Sequence, residues 1–144
     1  MQPDARVAAI AHVIQLAIAP VFLLTGIASL LVVLTNRLGR IIDRARMLEA
    51  HHVSATGEYR TLLSDDLTML SRRARLVNWA ISLFTLAALL VCVMIAVLFV
   101  SAFFTPNVSR IVAALFVLAM IGLIAGLVSF LREIQLATAS LRIG

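Results

Sequence analysis

Four arginines, Arg37, Arg40, Arg44 and Arg46, arrive within ten positions, in a segment that follows directly on 28 residues (7–34) that hold no arginine, lysine or carboxylate. Arg37, Arg40 and Arg44 are spaced by three and four, so a helix would present them on one side. Such a group has three uses. It can bind anionic oxygens, line a path for ions, or mark the side of a membrane on which a chain stops. Asp43 stands three residues from both Arg40 and Arg46 and would offset part of their charge.

The neighbouring pair His51 and His52 invites a metal reading. Adjacent helical positions point about 100° apart, and no Cys, His or paired carboxylate stands beside them at ligand spacing. They read as solvated polar residues in a turn. The sequence shows no nucleophile with a base, no zinc spacing, no Walker loop and no dinucleotide fingerprint. The long apolar stretches hold no carboxylate of the kind on which proton-coupled transporters rely, and no inverted repeat of useful length is present. Neither an enzyme nor a cofactor is expected.

The elements that must position the arginines follow from composition. The chain has 144 residues, 62% of them hydrophobic and 13% charged, with a mean hydropathy of +1.09. Soluble domains carry about a quarter charged residues. A net charge of +5 would suggest nucleic acid if the basic groups formed a stripe on a soluble domain. Here they fall between apolar runs, so a bilayer is the expected partner and nucleic acid is not. Every basic residue is arginine, which reads as the codon usage of a GC-rich bacterial genome. The single cysteine, Cys92, lies in an apolar run and is expected to be buried; it allows no intramolecular disulfide. The N-terminus lacks a basic n-region and the first apolar stretch is too long for an h-region, so no cleavable signal peptide is expected.

Three stretches, about 7–34, 76–104 and 111–131, exceed the roughly 18 to 20 residues that cross a hydrocarbon core. Helices satisfy their own backbone in lipid, and the alternation of a membrane barrel is absent. The expectation is a single all-α integral membrane domain over 1–144 with three transmembrane helices. Eight arginines lie between Asn36 and Arg75, against one in the 105–110 loop. Excess arginine marks the cytoplasmic side. The N-terminus is therefore expected outside, residues 36–75 inside and the C-terminus inside, with Arg132 and Arg142 agreeing.

Between the first two spans, Leu34, Leu38, Ile41, Ile42, Ala45 and Leu48 keep helical spacing, as do Leu63, Leu67, Leu70, Ala74 and Val77. The first two spans are thus expected to extend into a cytoplasmic helical hairpin (about 35–75), turning near 51–58 at Gly57. Asp43, Asp65 and Asp66 are expected to pair with nearby arginines at surface strengths.

Within span one, steps of three and four from His12 give Gln15, Ala19, Phe22, Gly26, Ser29, Val33, Asn36, Arg40 and Asp43. Most of the span's small and polar residues share this stripe. It reads as a close helix–helix contact with polar glue, or as the lining of a wet path with Phe22 or Val33 as a constriction. Weaker seams run along span two (Asn78, Ser82, Thr85, Leu89, Cys92, Ala96) and span three (Leu115, Ala119, Gly122, Gly126, Ser129, Glu133). Gly122 and Gly126 form a GxxxG motif for close packing, and Trp79 is placed as an interfacial anchor. Three seams exceed what one monomer needs, which points to a homo-oligomer. The functional expectation is a homo-oligomeric bacterial inner-membrane protein with an ion-conducting pore lined by span one. The alternative is a non-conducting accessory or scaffold subunit of a larger membrane complex.

Nearly the whole chain resembles the DUF2721 family of small bacterial membrane proteins. The most specific segments are Pro20–Gly26 (PVFLLTG), Asn36–Arg46 (NRLGRIIDRAR) and Arg72–Ile81 (RRARLVNWAI). The resemblance implies bacterial membrane residence and a three-span fold. It implies no activity and no site.

Overall fold

A computed structural model describes residues 3–54, 57–103 and 107–143. They form three helices, α1 (Pro3–Ser54), α2 (Glu58–Phe103) and α3 (Ser109–Ile143). No strand occurs among the described residues. Each helix is long and apolar enough to cross a membrane. At 1.5 Å per residue, the 52 residues of α1 and 46 of α2 reach about 78 and 69 Å, beyond the ~40–45 Å of a bilayer with its headgroups. The charged halves of both helices therefore have length to spare outside the hydrocarbon.

The turn between the first two helices differs from expectation. α1 runs through His51 and His52 to Ser54, so the turn is shorter than 51–58. Residues 55 and 56 lie outside the described part. Gly57, at φ 73°, supplies the left-handed conformation that leads into α2, and its carbonyl accepts from the Thr61 N–H at 3.4 Å. α3 continues beyond the apolar stretch 111–131, as far as Ile143. Ile134 and Ala137 stay partly covered one turn apart, so the apolar periodicity outlasts the Arg132–Glu133 pair that looked like its end. At the other end of α3, the Asn107 side-chain oxygen accepts from the Ser109 N–H (3.2 Å) and hydroxyl (2.7 Å), satisfying one of the free donors of the first turn.

The chain groups into two compact units, each built from parts of all three helices. The first comprises Met1–Leu30 and Leu83–Ile124. Its core holds Val91, Met94 and Ala119, with Leu23, Leu24, Leu90, Ile95, Val112 and Leu115 packed around them. Gly122 brings α3 against α2: a Cβ placed there would meet the Leu83 carbonyl oxygen and the Ala87 Cβ at 3.5 Å.

The second unit comprises Leu31–Ser82 and Ala125–Gly144. Leu34 and Ile41 of α1 and Leu63, Leu70, Val77 and Ala80 of α2 are buried. On α2 the intervals of seven between Leu63, Leu70 and Val77 set a 3.5-residue seam, the repeat of helices packed side by side. Arg73 falls on that seam, three residues after Leu70 and seven before Ala80, so its side chain starts out inward. Glu133 of α3 is fully buried. It accepts from Nε of Arg73 at 2.9 Å through one carboxylate oxygen and from Nε of Arg37 through the other. Arg37 also lies over the Phe130 ring, 5.8 Å from its centroid. One carboxylate thus joins a side chain from each helix. The aspartates expected to pair, Asp43, Asp65 and Asp66, form no ion pair among the described residues. They sit on exposed positions, where a long arginine gains little from being held.

Removing the buried Glu133 charge leaves Arg37 and Arg73, both partly solvated, without a counter-charge, at a cost of up to about 3 kcal/mol, the low end for a buried pair. Glu133→Gln is accordingly expected to lower the melting temperature of the detergent-solubilised protein strongly. Arg132→Gln, at the exposed neighbouring position, should stay within about 0.5 kcal/mol of the parent. Matching melts for Glu133→Gln and the parent would show that the ion pair does not hold the unit together. Gly122→Leu should cost about 1–3 kcal/mol by overfilling the contact with Leu83 and Ala87, read from the same melting curves.

Candidate functional site

The α1 stripe lies on the outside of the chain. In the first unit Gln15, Ala19, Phe22, Gly26 and Ser29 are exposed. In the second, Val33, Asn36, Arg40 and Asp43 are exposed. Gly26, Val33 and Arg40 each precede a buried residue (Ile27, Leu34 and Ile41), so the stripe is turned about 100° from the packed side of the helix. Its hydroxyls are satisfied locally: Ser29 donates to the Thr25 carbonyl at 3.1 Å, and Thr25 beside it donates to Val21 at 3.2 Å. A Cβ added at Gly26 meets nothing within 4 Å. The close approach that a small residue permits there is not used within the chain.

The other two seams part company. On α2, Asn78, Ser82, Thr85, Leu89, Cys92 and Ala96 are all exposed, so Cys92 is on the surface of the chain rather than buried as expected. The apolar run around it is lipid-compatible surface, and burial in the core falls instead to Val91 and Met94 on its flanks. On α3 the seam faces inward. Leu115, Ala119 and Gly122 pack in the first unit, and Gly126, Ser129 and Glu133 are covered in the second. Trp79 is exposed on the surface of the chain.

The four clustered arginines of α1 divide by role. Arg37 is committed to Glu133, whereas Arg40, Arg44 and Arg46 are exposed. Arg37, Arg40, Arg44 and Arg73 border a cavity of about 290 Å³ in the second unit, together with apolar Ile41, Leu70 and Ala137. Asp43 lies on a more open groove along α1, beside Arg40, Arg44, Met47 and Leu48. Sequence reasoning missed the meeting of Arg73 with Glu133. A partial signal was present: Glu133 has apolar or small residues three, four and seven positions away on both sides, and Arg73 has apolar residues three and four positions away. The histidines stand in the last turn of α1 rather than in a turn between helices, and the His52 ring Nε2 lies 2.8 Å from the Ser64 hydroxyl of α2.

No curated protein and no solved structure matches the chain. A family model described as a protein of unknown function, DUF2721, matches residues 17–143. That range takes in the stripe from Ala19 onward, the Arg37–Glu133–Arg73 contact and the cavity, and on it the chain belongs to the DUF2721 family.

Proposed function

We propose that this is a homo-oligomeric protein of the bacterial inner membrane whose copies meet along the α1 stripe and enclose an ion-conducting path. The N-terminus lies outside; the arginine-rich halves of α1 and α2 and the C-terminus lie in the cytoplasm, the side that excess arginine marks. The observation that carries the reading is the exposure of all nine stripe residues while the equivalent seam of α3 is used internally. Only 11% of the apolar window of α1 is buried, against 22% in α2 and in α3, so α1 is the helix with most surface left for a partner. The side chains of Gln15 and Asn36 have no hydrogen-bond partner among the described residues, and an amide facing lipid is costly. A second copy or a water-filled path relieves that cost. Ala19 and Gly26 let backbones approach, and repeated copies of Phe22 or Val33 would form the narrow point.

The outward seam of α2 favours a second reading, in which the chain docks as a non-conducting accessory or scaffold on a larger membrane complex. Mild detergent extraction separates the two. A symmetric assembly of this chain alone supports the first, and a single copy that co-purifies with another complex supports the second.

Gly26→Leu tests the interface because a Cβ added there meets nothing within 4 Å in its own chain. It should shift the size-exclusion profile toward smaller species while melting as the parent does; an unchanged profile would remove the α1 interface. In reconstituted bilayers Arg40→Glu should move ion preference toward cations. Arg72→Glu, exposed on α2 and away from the stripe, should change it much less. Arg73→Glu cannot serve as that control, since it would break the contact with Glu133. Absence of conductance in the parent would discard the path. For orientation, Cys92→Ala provides the background. Asn107→Cys should then react with an impermeant thiol reagent in intact cells, and Thr56→Cys only after the membrane is opened. Labelling of position 56 in intact cells would reverse the topology.

A further inference from the structure

We infer that the arginine-lined cavity of the second unit is a binding site for a phosphate oxyanion, with an anionic lipid headgroup as the source that its depth favours. The inference rests on the membrane placement of the helices and not on conduction.

Charge is the first ground. Four guanidinium groups, those of Arg37, Arg40, Arg44 and Arg73, border the cavity, and only Glu133 is paired with any of them. Asp43 lies on the adjoining groove and forms no ion pair with Arg40 or Arg44 among the described residues.

Donor geometry is the second. A guanidinium has five N–H donors. Arg37 and Arg73 each use Nε on Glu133, and their terminal nitrogens have no protein acceptor among the described residues. Held by the buried carboxylate, they keep an orientation instead of sampling many. Forked donors fixed in this way suit the bidentate recognition of phosphate. Arg40 and Arg44 come from α1, one turn apart, and helical side chains lean toward the N-terminus, here toward the apolar end.

Depth is the third. Arg37 stands three residues past the first apolar stretch and Arg73 three residues before the second, about 4.5 Å along each axis. Arg40 and Ala137 are about 9 Å from their apolar ends. Lipid phosphates occupy this layer, outside a core roughly 30 Å thick. Ile41, Leu70 and Ala137 add an apolar wall on which the glycerol end of a lipid can rest. A volume of about 290 Å³ takes a headgroup phosphate with a few waters, at ~30 Å³ per water. Basic pockets between membrane helices bind such headgroups.

The test uses the full chain in mild detergent, titrated with phosphatidylglycerol, phosphatidylcholine or inorganic phosphate and read by lipid retention in native mass spectrometry and by melting temperature. Phosphatidylglycerol should be retained and should stabilise the protein, whereas zwitterionic phosphatidylcholine should do neither. The double variant Arg40→Gln/Arg44→Gln leaves the Glu133 contact intact and should bind phosphatidylglycerol roughly thirtyfold more weakly. Arg46→Gln, exposed on the same helix but not bordering the cavity, should bind as the parent does. Stabilisation by inorganic phosphate alone, lost in the double variant, would keep the oxyanion site and assign it to a soluble phosphate. Equal retention of the two lipids would overturn the site. So would equal weakening by Arg46→Gln and Arg44→Gln, because that is the behaviour of diffuse surface charge.

Discussion

A carboxylate with no exposed surface must be met by donors, and Glu133 is met by two arginines from two different helices. Apolar side chains in a lipid-facing protein gain little from choosing one another over lipid tails, so packing alone specifies helix register weakly. An ion pair behaves differently. Sliding α1 or α2 by one residue would turn Arg37 or Arg73 by about 100° and leave Glu133 buried beside a half-filled set of donors. The contact therefore acts as a register pin for the second unit. The 3.5-residue seam of Leu63, Leu70 and Val77 then supplies shape around it. Two arginines on one carboxylate also leave the site net positive, so the element that fixes register also sets the charge of the cavity beside it.

Helices and their apolar lengths were legible in the sequence because they depend on local quantities: run length, absence of charge, and the spacing of Leu34, Ile41, Leu63, Leu70 and Val77. Ile42 shows the limit of that reading. It fits the spacing of its neighbours and yet is exposed, since a helix offers more apolar positions than two neighbours can cover. The seam positions of Glu133 and Arg73 could be read from their neighbours, but the pairing between them could not, for a physical reason. It depends on three residues separated by 60 and 96 positions, and local charge rules favoured pairing along one helix instead. Glu133 and Arg132 looked like the polar end of a span, although α3 continues past them with its apolar side intact. The stripe on α1 was legible as a pattern, while its direction was not. Periodicity says which residues share a face and is silent on which of two faces the rest of the chain will cover.

The two faces of α1 carry different chemistry, and the arginine-rich segment is where they meet. Arg37 belongs to the packed side and is held; Arg40, three residues on, belongs to the exposed side and also borders the cavity. A topology signal requires only that the positive charges lie on one side of the membrane, with no demand on their direction. The observed arrangement is more specific than that requirement. One arginine stacks on Phe130 and pairs with a buried acid, another reaches the same acid from α2, and two more stand around the opening they leave. Lysine could mark topology equally well, but it lacks the planar fork that can give one nitrogen to Glu133 and keep two for another oxyanion. The guanidinium geometry is therefore used at Arg37 and Arg73, whatever set the arginine content of the chain as a whole. Arg46 is exposed and stands away from the cavity, so nothing in the structure asks for a guanidinium there.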